Sequence, residues 1–248
     1  MSAKQYKNPP IEEAVCEFTF ASASADQQFD FTLPGRLKMH HLMAEYSGQP
    51  RTQNVRTIAA NDPSTVAVQT VLLRVQLPTP DGRHLISIGR NTLAITVLRP
   101  YEGWTNFKPR IEQALNAFLE IVSSSSVVRI GVKYVNRIEV PRADANATEV
   151  LTGAPAQDKI SQTRLGNFTQ FAEFVRRDGI KVLVTQATLQ PSAPNTTEYL
   201  LDIDTIWDHK ALGDRTEIVA TAERLHDIEG AAFESLITEQ ARRLFDAG

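Results

Sequence analysis

Three cations, Arg129, Lys133 and Arg137, recur every four residues along the apolar-rich run 127–140, and two carboxylates, Asp202 and Asp204, stand two residues apart further on. In an extended strand such spacings put each set on a single face of a sheet. A row of cations is one way to build an anion- or nucleic-acid-binding face. An Asp-x-Asp pair offers oxygen ligands to Mg²⁺ and, through it, metal-assisted cleavage of a phosphoester. The plainer account pairs the charges with one another. Glu13 and Glu17 share the four-residue interval on an early strand, and opposite charges across neighbouring strands favour a register by about 0.2–1 kcal/mol per pair. The formal net charge of −3 favours that account, because binding to a polyanion rewards an excess of Lys and Arg. No third ligand stands at metal-binding distance in sequence from Asp202 and Asp204, so the metal reading stays a weak candidate and no cofactor is expected.

Other side chains with chemical potential have structural explanations. Asn136 is the one polar break in the row Val128, Ile130, Val132, Tyr134, Ile138, Val140, and a buried amide must hydrogen-bond to backbone or face a polar ligand. His226 shares a helical stripe with Gly230 and Phe233 and suits a packed histidine bonded to a backbone group better than a general base. Trp104 and Tyr101, in Pro100-Tyr101-Glu102-Gly103-Trp104, suit a hydrophobic staple at a helix start, or an aromatic contact for a partner. Tyr134, Asn136 and His226 together would supply the polar contacts of a small-molecule pocket between a sheet and its helices. Cys16, the single cysteine, lies in an apolar row with Ala14 and Phe18, which marks an inert thiol and excludes an intrachain disulfide. His40, His41 and His84 lack zinc-ligand spacing, and phosphate-loop, dinucleotide-binding and nucleophile-elbow patterns are absent. The balance leans away from an enzyme.

The elements that must hold these residues follow from periodicity. Strands are expected at 11–20, 66–77, 84–89, 92–98, 127–140, 170–176, 180–190 and 198–207, with Arg90-Asn91 and Asp178-Gly179 as hairpin turns. Helices are expected at 33–46, with Met39, Leu42, Met43 and Tyr46 on one stripe, and from 104 to about 122, with Phe107, Ile111, Leu115 and Phe118 inward. A single C-terminal helix, with the stripe Phe233, Ile237, Ala241, Leu244, should end near Phe245, and one short helix is expected near 148–151. Residues 47–64 are polar and rich in turn formers, which predicts a loop. The order strand, crossover, three strands, long helix occurs twice, which predicts one domain over 1–248 with degenerate halves at about 11–123 and 127–247. The fold expected is α+β: one large, mostly antiparallel sheet with the long helices on its apolar face, similar to a duplicated TATA-binding-protein-like or ferredoxin-like arrangement.

Hydrophobic content of 42% and 22% charged residues are those of a soluble globular chain, without a signal-type or membrane-spanning run, so a cytoplasmic location is expected. Three segments carry a family resemblance: Asn8-Pro9-Pro10-Ile11-Glu12-Glu13-Ala14-Val15, Pro100-Tyr101-Glu102-Gly103-Trp104, and the run Arg129–Ile138 with Tyr134-Val135-Asn136-Arg137-Ile138 at its centre. Leu225-His226 adds a fourth. With these the chain resembles a sporadically distributed family of uncharacterised bacterial proteins of about this length, Lys133 standing where the pattern has arginine. The resemblance implies no activity; patchy occurrence implies a defence or mobile-element module. The resulting expectation is a non-catalytic binding or scaffold protein acting with a protein partner, as a homo-oligomer, or on a ligand. The alternative is a nucleic-acid-binding or metal-dependent nucleic-acid-processing protein using Arg129, Lys133 and Arg137.

Overall fold

The computed structural model describes residues 6–21, 33–62, 65–89, 91–121, 126–155 and 166–246. The elements in chain order are β1 (Ile11–Phe20), α1 (Leu33–Leu42), β2 (Arg51–Asp62), β3 (Thr65–Pro78), β4 (His84–Gly89), β5 (Thr92–Leu98), α2 (Trp104–Ile121), β6 (Val127–Val140), α3 (Ala147–Val150), β7 (Thr169–Val175), β8 (Lys181–Leu189), β9 (Thr197–Trp207), α4 (Arg215–Leu236) and α5 (Glu239–Asp246). Among the described residues the strands form one nine-stranded sheet in the order β2-β3-β4-β5-β1-β6-β9-β8-β7, every pair antiparallel. The expected α+β class is therefore what is observed. The two leading strands β1 and β6 are neighbours at the centre, and the strands that follow each begin at the outer edge and return inwards to lie beside it.

Period-two patterning decides which face is covered. On β1, Ala14, Cys16, Phe18 and Phe20 are buried, and on β6 the buried row includes Ile130, Val132, Tyr134, Asn136, Ile138 and Val140. Helix α2 brings Phe107, Ile111, Leu115 and Phe118 onto this face, and α4 brings Ile218, Ala222 and Leu225. A second cluster forms where α3 and α5 join Val182, Val184, Tyr199, Leu201 and Ile203, with Ile228 of α4 touching both clusters. The described helices thus lie on one side, and the alternate residues of the central strands face away from them. No helix among the described residues is long and apolar enough to cross a membrane.

Four expectations are corrected. Residues 51–62 form β2, not a loop: the polar stretch carries no apolar row, but its backbone pairs with β3 from Arg51↔Gln76 to Asp62↔Thr65, and that pairing outweighs local propensity. Helix α1 ends at Leu42, and Leu42 is 37% exposed, while Met39, Met43 and Tyr46 are buried from the helix and the turn after it. The C-terminal helix is two helices. Ile237 is extended and bridges Leu151, Thr238 donates its amide to the Val150 carbonyl, and its hydroxyl accepts from Ala241 N at the start of α5. That break buries Phe245, with Leu244 only partly covered. At the start of β6 a bulge opposite Thr19 and Phe20 buries Val127 and leaves Val128 half-exposed. Arg90, half of the expected turn dipeptide between β4 and β5, lies outside the described residues.

The Asp178-Gly179 turn between β7 and β8 is as expected. Gly179 has φ +81°, and a Cβ there would collide with the His209 ring at Cε1. Gly179→Ala should lower stability by about 1–3 kcal/mol through the left-handed backbone and this clash. Adding His209→Ala should recover the steric part, read as a partial return of the thermal midpoint.

Candidate functional site

The cation ladder lies on the sheet face away from the helices, and each of its members is engaged. Arg129 donates to Glu17 at 3.1 Å and stands 3.8 Å from Asp204. Lys133 meets Asp202 at 2.7 Å. Arg137 binds Glu198, whose carboxylate is buried and also accepts from the Ser192 amide and hydroxyl, each at 2.6 Å. The register explains the choice of partners. Lys133 lies opposite Asp204 and Val135 opposite Asp202 on β9, so the ion pairs run diagonally across two central strand pairs. Only Arg129 takes an acid from β1; Lys133 and Arg137 take theirs from β9, whereas the matched intervals predict Glu13 and Glu17 as the counterparts. Arg74 of β3 adds a second cation 3.8 Å from Glu17.

Electrostatics agree with this neutralised lattice. Burial pushes the Asp204 carboxyl up to about 6, against the pull of Arg129 and Lys133. Burial likewise raises Glu13, with Lys133 opposing. At Glu198 burial also works upward, but the Ser192 hydroxyl and amide and the Arg137 guanidinium outweigh it and hold the carboxyl below its ordinary range. Asp202 and Asp204 are each drawn to cations of β6. Among the described residues no group of three or more His, Cys, Asp or Glu is arranged to hold a metal ion.

The other candidates sit on the covered face. Tyr134 of β6 meets His226 Nδ1 of α4 at 3.0 Å and Tyr101 Oη at 2.9 Å. The Trp104 ring, first in α2, stacks on His226 with centroids 4.2 Å apart and planes 10° apart. The residue expected as a staple therefore ties the start of α2 to the middle of α4. His226 bonds to a side chain and not to the expected backbone group. Thr205 fixes the height of α4 over the sheet, its hydroxyl lying 2.9 Å from the Val132 carbonyl and 3.2 Å from that of Leu225. Burial lowers the His226 imidazole and raises both tyrosines. A neutral His226 protonated on Nε2 lets Tyr134 donate to Nδ1 while accepting from Tyr101. Cys16 is wholly buried, and its thiol is pushed up by burial. This hydrogen-bonded and stacked chain ties α2 and α4 to β6.

Asn136 does not join this chain. Its amide donates to the Leu201 carbonyl at 3.1 Å, beside the β1 bulge between Ile11 and Glu13. The three polar contacts of the expected pocket therefore do not converge. A surface cleft of about 490 Å³ lies elsewhere, between Gly48, Arg51, Pro78 and Asp81.

Two features escaped the sequence reading. Glu229 is 5% exposed, its carboxyl makes no hydrogen bond among the described residues, and burial raises it well above the ordinary carboxylate value. Its signal was its spacing, four residues after Leu225 and four before Phe233. The second is the edge strand β7. Phe171 is 64% exposed, Phe174 55% and Val175 63%, three of the four exposed large hydrophobic residues among those described. Arg176 N donates to the Ile180 carbonyl and Thr188 N to the Phe168 carbonyl, so even-numbered residues of β7 bond to β8. The amides and carbonyls of Thr169, Phe171, Glu173 and Val175 then point out of the sheet, where β7 has no neighbouring strand among the described residues.

No family model and no curated protein matches the chain. Among solved structures, one similarity is to the S. pombe Pct1 RNA triphosphatase, at 10% identity over 96% of this chain and 82% of that one, with a TM-score of 0.11. A score that low carries no shared fold.

Proposed function

We propose that this is a non-catalytic binding or scaffold protein that docks a polypeptide partner as an added strand along β7. The observation that carries the reading is the concentration of exposed apolar side chains on one seven-residue edge strand whose outward backbone groups have no strand partner among the described residues. A soluble chain ordinarily blunts such an edge with charge, proline or a covering element. The side chains that could have done chemistry support the same reading: Arg129, Lys133 and Arg137 are held by acids, and Tyr134 and His226 by each other. A face whose cations are already neutralised has little counterion-release energy to offer a nucleic acid.

We further infer that the two halves descend from a duplication. In the order outwards from the centre, β5, β4 and β3 answer β9, β8 and β7, and β2 has no counterpart beyond β7 among the described residues. The added partner strand takes the place that β2 fills in the first half. Membership of the sporadically distributed bacterial family, and a cytoplasmic role in a defence or mobile-element module, fit a partner encoded beside this gene.

The test is titration of the purified protein against the products of the flanking genes. Binding by the wild type that falls at least tenfold in Phe171→Asp/Val175→Asp, with the thermal midpoint retained, is the expected result. Binding that is indifferent to this double substitution would move the docking surface away from β7.

A further inference from the structure

The β7 edge is complementary to itself, and we infer that its occupant is β7 of a second copy of this chain, paired antiparallel about a two-fold axis through Phe171. The inference rests on the strand-addition reading and names the strand that fills this edge in the protein alone.

Geometry limits the alternatives. The outward-facing backbone groups belong to the odd-numbered residues, so two copies related by a two-fold axis perpendicular to the sheet hydrogen-bond odd residue to odd residue. Of the registers that satisfy this, those centred on Phe171, Ala172 and Glu173 pair the most residues of the strand. Centring on Glu173 sets two carboxylates directly opposite each other, which is destabilising. Centring on Ala172 sets Phe171 against Glu173 of the second copy and leaves the apolar side chains facing polar ones. Centring on Phe171 stacks the two most exposed rings on the axis, and it places Thr169, a hydroxyl donor, opposite Glu173 on each side. On the other face of the sheet the same register brings Phe174 over Phe168 of the second copy, and does so twice. Each exposed apolar ring left by one copy meets an apolar ring of the other, with no like charges opposed.

Closure is the second argument. Pairing β7 with β7 uses the same patch on both copies and stops at two. Pairing β7 with the β2 edge of another copy would repeat without end and build a fibre. The two-fold arrangement joins the sheets at their β7 ends and leaves β2 outermost on both sides. A contact this short lies below the roughly 1,200–2,000 Å² of stable complexes, so a weak, concentration-dependent dimer is expected, of micromolar order.

Sedimentation equilibrium of the full chain between about 1 µM and 1 mM tests this. The expected result is a reversible monomer–dimer equilibrium. Phe171→Asp should weaken it at least tenfold by opposing two carboxylates on the axis. Thr169→Lys should tighten it about 2- to 30-fold, because the substitution sets an ammonium opposite Glu173 twice, and each such cross-strand pair is worth about 0.2–1 kcal/mol. In the Glu173-centred register the same ammonium would face Arg177 and weaken the dimer. A wild type that stays monomeric throughout, a dimer indifferent to Phe171→Asp, or a dimer weakened by Thr169→Lys would overturn the proposal. A monomeric wild type that still binds a neighbouring gene product through Phe171 would remove the dimer and leave strand addition standing.

Discussion

Replacing Arg137 by alanine should destabilise the protein by about 3–5 kcal/mol, the range found when one partner is removed from a buried ion pair. Glu198 is wholly buried on β9, and without the guanidinium it would retain only the Ser192 amide and hydroxyl for a full negative charge. The converse change, Glu198→Ala, should cost less, because the Arg137 side chain is 29% exposed and can take up water. Denaturant titrations of both variants check the order. Equal losses would mean that the pair acts as a simple contact and not as neutralisation of a buried charge. The pair also sets a pH dependence. Because the folded carboxyl lies below its ordinary value of 4.5, its stabilisation is complete above that value and is lost as pH falls through the depressed one.

Glu229 acts in the opposite direction. Its folded carboxyl lies well above the ordinary 4.5, so the stability linked to its protonated form is complete below about that pH and declines as pH rises towards the folded value. The decline has a limiting slope of about 1.4 kcal/mol per pH unit. Asp204 contributes with the same sign between 3.8 and about 6, and Glu13 likewise by direction. Glu229→Gln keeps the shape and removes the titration, so the variant should gain on the wild type as pH rises from about 5 to about 8. Glu229→Leu, which also removes the cost of burying a carboxyl, should be more stable than wild type near neutral pH by about 1–3 kcal/mol. Thermal unfolding across that pH range checks both. Parallel curves for wild type and Glu229→Gln would show that the carboxyl is not held in its neutral form.

The central strands were legible because their signal is local. Alternation over β1 and β6 is set by the pleat, and Ala14, Cys16, Phe18, Ile130, Val132 and Tyr134 had one face to occupy. The stripe Phe107, Ile111, Leu115, Phe118 was equally plain. What escaped depends on neighbours distant in sequence. Arg51–Asp62 has no apolar row and is a strand only because β3 lies alongside it. The break at Ile237-Thr238 falls inside an intact helical stripe, and it is the carbonyl of Val150 and the bridge to Leu151 that pull the chain out of helix. The charge pattern of the ladder was readable, but its partners required strand order. Asp202, Asp204 and Glu198 become available to the ladder only once β9 is placed beside β6. The exposure of Phe171, Phe174 and Val175 was invisible for the same reason, since a strand of that composition reads alike in the middle of a sheet and at its edge.

The edge can be tested in one experiment, residue-resolved amide hydrogen exchange, recorded dilute and then at a concentration, or with a partner, that occupies the binding surface. The outward amides of Phe171, Glu173 and Val175 should exchange fast when dilute and gain protection on occupancy. The amides of Ala172 and Phe174, bonded to β8, should be protected in both states. Occupancy that leaves the outward β7 amides exchanging as fast as in the dilute state would contradict the account.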